Sequence, residues 1–422
     1  MKYWFNEPEL KAILPLAASS AVRGLSSNFN TPRIFMGPNA LPKGKGLGAS
    51  SIDFIGAKCS KKRAFIITDD FAKRFSARVS KAFEASGFKT QIWSNALPEA
   101  PLSNVKECSE IMSQFNPDLI VALGGGSIID GAKGAWIYYE RPDVTDLRVL
   151  SPFEPLGLRK KAIFAAIPTT SGTGSECTAT AVIHDTENNR KIPVANSDLL
   201  PDFAILVPEF TMTMPPKLTA GTGLDVLSHA MDAIMSPAAS DLSDAINLSA
   251  IKTVFKFLPR AYHHGQDREA RFRMLVASSL GGIGIQTSGA ALTHSFGHSL
   301  GSLFHVHHGI AVGIFIPFVF QFYREVSDKY LEICDALKIE GKTKQERFHG
   351  LMEKVRTLFK ELEVPLNLKD LEISKENLEE KMEKLALFTH EDIDSVFSPR
   401  PITIDQCKKI FRYAFEGKSI DF

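Results

Sequence analysis

Cysteine is scarce in this chain. Its 422 residues include five, Cys59, Cys108, Cys177, Cys334 and Cys407, which are scattered and never form a CxxC pair. That excludes a disulfide framework and a thiolate metal centre, and it points to a reducing compartment. Net charge is also missing. Lys plus Arg number 49 against 48 for Asp plus Glu, so the chain carries no footprint for nucleic acid or an acidic membrane surface. Nor is there a long apolar run. The longest, Gly309 to Phe320, falls short of the roughly 20 residues that span a bilayer, and with Pro317 inside it reads as a buried helix. The opening residues Met1 to Pro8 lack the apolar stretch of a secretory leader. A cytoplasmic protein with no membrane partner is expected, with residues 1–30 as a peripheral helical extension.

A length of 422 residues exceeds what one hydrophobic core usually supports, so two domains are expected. From residue 64 the hydrophobic period alternates. Ala64–Thr68, Thr90–Trp93, Leu119–Leu123, Ala162–Ile167 and Ala204–Val207 read as strands, after an earlier one at Pro32–Gly37. Helical stretches lie between several of them, including Asn104–Phe115. Continuous apolar strands separated by helices imply a parallel sheet covered on both faces. Beyond Pro208 a 3–4 spacing dominates, as in Phe348, Leu351, Met352, Val355, Leu358, Phe359 and Leu362. The predicted architecture is an α/β domain over 1–208, then an all-helical domain over 209–422, with a surface loop at 363–374.

Leu123 leads into Gly124-Gly125-Gly126-Ser127-Ile-Ile-Asp130. A strand, a glycine turn and a helix start make an anion site, because free N–H groups and the helix dipole aim at it. Ser127 is predicted as the helix cap, with Asp130 in capping-box position. The spacing departs from the GxGxxG dinucleotide fingerprint. Asp69 follows the first clear strand, where a carboxylate accepts from ribose hydroxyls and repels a 2′-phosphate, favouring NAD over NADP. Pro168-Thr169-Thr170-Ser-Gly-Thr173-Gly-Ser-Glu176 supplies small hydroxyls after another strand, suited to a pyrophosphate or ribose.

Five of the eleven histidines crowd into residues 294–308: His294, His298, His305, His307 and His308. Asp225 and His229, four apart, share one face of a helix at metal-ligand spacing. One carboxylate and imidazoles suit Fe²⁺ or Zn²⁺. Spacing alone cannot say which two of the five histidines complete the set.

These segments, in this order, resemble the iron-containing (type III) alcohol dehydrogenase family. They are Gly124–Lys133, Pro168–Glu176, Gly223–Ala230, His294–Gly301 and His308-Gly309, and the likeness spans roughly residues 30–418. The resemblance implies a dehydroquinate synthase-like architecture. It implies metal-dependent interconversion of an alcohol and its aldehyde or ketone with NAD(P), in a homodimer. Family ligands fall on Asp225, His229, His294 and His308, and His298 falls beside nicotinamide and substrate as a proton-handling residue. Cofactor contacts map to Gly124, Gly125, Gly126, Ser127, Asp130, Thr169, Thr170 and Thr173. Lys191 maps to a lysine near the cofactor, and Asp69 to the residue setting NAD preference. His307 replaces a usual proline, Asp232 a usual glutamate, and Ser398 a usual asparagine before Pro-Arg. The last two are expected to lie off the chemistry. A hydroxyacid–oxoacid transhydrogenase with retained NAD and a dehydroquinate synthase-like lyase are the alternatives.

Overall fold

Six strands pair side by side, all parallel, in the order β1-β8-β5-β4-β2-β3. In chain order the strands are β1 (Arg33–Met36), β2 (Arg63–Thr68), β3 (Lys89–Trp93), β4 (Leu119–Gly124), β5 (Ile163–Pro168), β6 (Thr180–Asp185), β7 (Arg190–Ala195) and β8 (Phe203–Leu206). The computed structural model describes residues 29–41, 50–187 and 190–422. The expected extension over 1–30 lies outside these apart from its last two residues. The described chain divides into two units between Thr213 and Met214, a few residues past the predicted boundary.

In the first unit, β4 is buried along its whole length, as a continuous apolar run requires of a central parallel strand. Helices α1 (Ser51–Gly56), α2 (Lys73–Glu84), α3 (Leu102–Phe115) and α4 (Gly126–Glu140) supply the connections. After β2 the chain places β3 on one side and then returns to put β4 on the other. The strand order therefore reverses between β2 and β4, the position where open α/β sheets bind ligands beyond their carboxyl ends. The remaining strands, β6 and β7, form a separate antiparallel pair. Sequence reasoning missed this hairpin. Its signal was the alternation of Ala181 and Ile183 in one segment and of Ile192 and Val194 in the next.

The second unit is helical, with no strand among its described residues. It comprises α5 (Pro216–Met235), α6 (Asp241–His263), α7 (Arg268–Ser288), α8 (Leu292–Phe304), α9 (His308–Gly313), α10 (Ile316–Tyr323), α11 (Tyr330–Ala336), α12 (Lys344–Glu361), α13 (Lys375–Glu391) and α14 (Ile404–Glu416). Every residue of α5 from Thr219 to Met235 is buried. A helix buried on all sides is a core element, so its polar residues Asp225, Ser228, His229 and Asp232 cannot be a solvated face. The stripe from Phe348 to Phe359 is buried as predicted. The apolar run 309–320 is not one helix. It breaks between α9 and α10, where Pro317 takes an early helical position that needs no N–H bond. No single described helix is long and apolar enough to cross a membrane.

Candidate active site

The carboxyl ends of β2, β4 and β5 lie side by side, since Thr68 pairs with Leu123 and Gly124 with Pro168. This brings Asp69, the turn 124–127 and the segment 169–173 to one edge of the sheet. Gly125 is the cap of α4, in extended conformation and with no side-chain cap bond. The predicted Ser127 cap is therefore wrong. Ser127 is exposed in the first helical turn, and Asp130 is turned away, accepting from the Ser175 hydroxyl and from Val182 N (3.0 Å). The first N–H groups of α4 thus have no protein cap and stay open to an anion.

Gly126 is required by a close approach. A Cβ there would come within 2.5 Å of Thr173 Cγ2, and one on Gly125 within 3.4 Å of Thr170. Glycine turn and threonine segment are thus in contact, and Thr169 N donates to Gly124 O at 2.9 Å. Asp69 Oδ1 accepts from Ala72 N at 2.6 Å, which pins its carboxylate at the end of β2. Lys191 stands half-exposed on β7, 3.7 Å from Glu99 Oε2.

The histidine cluster forms in the second unit. Asp225 Oδ1 lies 3.7 Å from His229 Nε2, 3.7 Å from His294 Nε2 and 3.3 Å from His308 Nε2. Three imidazole nitrogens from α5, α8 and α9 therefore converge on one buried carboxylate oxygen. Asp225 Oδ1 and His294 Nε2 are buried without a hydrogen-bond partner, an arrangement that costs free energy unless something sits between them. The His229 and His294 rings stack at 4.6 Å. Burial would push the Asp225 carboxyl up, but the surrounding histidines hold it well below the usual range. Burial lowers His229 to about 3 and also lowers His308, keeping both in the neutral form that ligates. For His294 burial opposes protonation, yet Asp225 and Asp232 outweigh it and raise the ring to about 10. The field between those carboxylates favours a positive charge, and an Asp–His₃ set with orphaned atoms fits a divalent cation.

Of the other histidines, His305 is exposed in a left-handed conformation (φ 56°) ending α8. His307 is exposed, its ring against Gly221. Only His308 of that pair reaches Asp225. Gly309 lies so close to α5 that a Cβ would stand 1.9 Å from Gly221 O, which seats α9 and aims His308.

His298 sits apart from the convergence point. Its Nδ1 is 3.0 Å from Asp392 Oδ2 and 3.7 Å from Asp394 Oδ2, and its ring stacks on His308 at 5.3 Å. Burial works against its protonation, but the Asp392 and Asp394 charges prevail and raise its pKa. Burial, and then the Asp392 charge, push Asp394 up to about 6.

Two family sequence models match this chain. The one described as "Iron-containing alcohol dehydrogenase" covers residues 43–208, and the one described as "Fe-containing alcohol dehydrogenase family, C-terminal" covers 219–415. The chain is 34% identical over 385 residues to an NADPH-dependent butanol dehydrogenase of Clostridium saccharobutylicum, covering 90% of this chain and 99% of that one. It belongs to the iron-containing alcohol dehydrogenase family. With the family comes the reaction: this is an NAD(P)-dependent alcohol dehydrogenase, interconverting an alcohol and its aldehyde or ketone. The comparisons favour neither a transhydrogenase nor a lyase. A bifunctional aldehyde-alcohol dehydrogenase of Escherichia coli (strain K12) is 32% identical over 388 residues, but this chain spans only 43% of its length. Among solved structures, an iron-containing alcohol dehydrogenase from Thermococcus thioreducens has a TM-score of 0.82 at 28% identity, covering 93% of this chain and all of that one.

In this dehydrogenase Asp232, expected to lie off the chemistry, stands instead against the histidine cluster. It is fully buried, and its Oδ2 accepts from Ala291 N (2.9 Å), Thr293 Oγ1 (2.5 Å) and His294 Nδ1 (3.1 Å). A carboxylate behind a ligating imidazole fixes its tautomer and raises its basicity. Ser398 is off the site as expected: its hydroxyl donates to Arg400 O. Arg400 in turn bonds the carbonyls of Phe322 and Phe422. Sequence reasoning also missed Asp392 and Asp394, which lie in a run that reads as a solvated acidic face.

Proposed function

We propose that Asp225, His229, His294 and His308 hold a divalent ion, Fe²⁺ in preference to Zn²⁺. We further propose that the edge formed by Asp69, Gly124–Ser127, Thr169, Thr170 and Thr173, with Lys191 nearby, binds the nicotinamide cofactor. The observation that carries the reading is a single buried carboxylate oxygen, free of hydrogen bonds, faced by three imidazole nitrogens. When bound, the ion supplies Lewis-acid stabilisation of charge on a substrate oxygen, and the nicotinamide accepts or returns the hydride. The chain's residues do the rest. Asp232 holds His294 with its Nε2 turned to the ligand side. Asp392 engages His298 Nδ1, leaving Nε2 to take up or give back the proton that accompanies hydride transfer. The open N–H groups at Gly126 and Ser127 receive the pyrophosphate. Asp130 acts from behind, tying the threonine segment to α4.

The pinned Asp69 carboxylate favours NAD, since a 2′-phosphate placed against it would be repelled; the Clostridium relative is nevertheless named for NADPH. Elemental analysis of anaerobically purified protein, run with an alcohol panel against NAD and NADP, tests the whole reading. One bound iron per chain and faster NAD reduction are expected. A metal-replete, fully active His294→Ala variant would overturn the ligand set, and preference for NADP would overturn the role of Asp69. A homodimer is the assembly the family resemblance implies, while the scattered cysteines point to the cytoplasm; a monomer in light scattering would exclude the dimer.

A further inference from the structure

Lys133 is a lysine with no exposed surface at all, and the reaction makes no use of it. It lies on α4, two turns past the glycine turn. Its ammonium donates to three main-chain carbonyls, Ser175 O at 2.8 Å, Thr178 O at 2.7 Å and Thr180 O at 2.8 Å. The Ser175 and Thr178 hydroxyl oxygens stand at 3.4 and 3.3 Å. An ammonium has three protons, so three carbonyls satisfy it completely. No carboxylate takes one of those protons, although Asp130 and Glu176 are close enough to favour the charge. Five oxygens around one buried cation amount to a monovalent-cation cage, with the cation tethered to a helix.

The cage lies directly behind the cofactor edge. Ser175 begins two residues after Thr173, and Thr173 packs on Gly126. Asp130, one turn before Lys133, accepts from the Ser175 hydroxyl and Val182 N. The two side chains therefore clamp the segment 175–182 to α4 and fix how the threonines meet the glycine turn. A segment that contributes three carbonyls to one point would be repelled from it if the charge were absent.

We propose that Lys133 is a positioning residue that acts as a built-in monovalent cation. It holds the 175–180 carbonyls together so that Thr170 and Thr173 stand correctly for the dinucleotide, and the cage will accept a free alkylammonium ion when the tether is cut. The proposal rests on the cofactor reading above. The test compares wild type, Lys133→Met, which keeps the volume without the charge, and Lys133→Ala, which leaves room for n-propylammonium. NAD(H) dissociation constants are measured by fluorescence, with circular dichroism and metal content as controls. Both variants are expected to bind the cofactor about tenfold or more weakly. The loss falls on the cofactor KM, while kcat at saturating cofactor and the alcohol KM hold. Propylammonium restores affinity to Lys133→Ala and not to Lys133→Met; tetramethylammonium restores neither. Unchanged affinity in folded Lys133→Met overturns the proposal. So does a loss that propylammonium cannot reverse in Lys133→Ala, or a parallel fall in kcat, both KM values and thermal stability. Failure of the wild type itself to bind either nicotinamide would instead sink the cofactor reading.

Discussion

Asp232 offers the sharpest test of the proposed metal centre, because it touches His294, a proposed ligand, and is not one itself. Its Oδ2 takes three hydrogen bonds, one from His294 Nδ1 and two from Ala291 N and Thr293 Oγ1. Asp232→Asn can keep all three acceptor contacts with its amide oxygen but loses the charge, and charge-assisted bonds are roughly twice as strong as neutral ones. Asp232→Ala loses the contacts as well. Removing a partner behind a ligating histidine typically weakens metal binding about 10–100-fold, or ~1.4–2.7 kcal/mol. Asn is therefore expected near the tenfold end and Ala near the hundredfold end. Ala also strands a buried N–H and a buried hydroxyl, each worth roughly 1–3 kcal/mol, so its melting temperature falls further than that of Asn. Zn²⁺ affinity is read by competition with a chromophoric chelator at fixed pH, with melting curves on the same preparations. If both variants bind the ion as tightly as the wild type, Asp232 merely anchors the start of α8 and its bond to His294 is incidental.

Stripping the ion with a chelator should lower the melting temperature and readdition should restore it, because a ligand bound only by the folded state stabilises that state; no shift would mean the four side chains hold no ion. Gly126→Ala should weaken cofactor binding about tenfold or more without loss of metal, since its methyl group would collide with Thr173; isothermal titration with unchanged affinity would remove the turn from the site. Asp392→Ala and His298→Ala should each slow turnover by about 10²-fold with metal retained, and the double variant should be no slower than the worse single one; additive losses would show that the two do not act as a pair. Burial depresses Lys133 to about 8, against the pull of Asp130 and Glu176. The unfolded chain therefore binds that proton more tightly. Global stability should gain as pH rises from about 8 towards the lysine's ordinary value, while cofactor affinity falls because the cage discharges. Affinity that is flat across that window would contradict it.

Helical spacing made Asp225 and His229 legible in the sequence, and the order of motifs supplied His294 and His308. What it could not show was who stands behind those histidines. Asp232 meets His294 across 62 residues of chain, and Asp392 meets His298 across 94; neither pairing leaves a local pattern. The helix cap at Ser127 was misplaced because the glycine turn enters α4 earlier than a Ser–Asp reading allows, and because Asp130 had a partner in a segment far along the chain. The parallel sheet was readable because apolar runs leave few other places to go. The β6–β7 pair was overlooked, because its alternation is short and Pro193 interrupts the second strand.

Of the proposed ligands, Asp225 and His229 on α5 are made first, and His294 and His308, on α8 and α9, follow only after the whole of α6 and α7. No fragment shorter than the stretch from Asp225 to His308 carries all four. During synthesis, the full set has to wait until α9 has emerged and docked its glycine against α5, while α10 to α14 are still to follow.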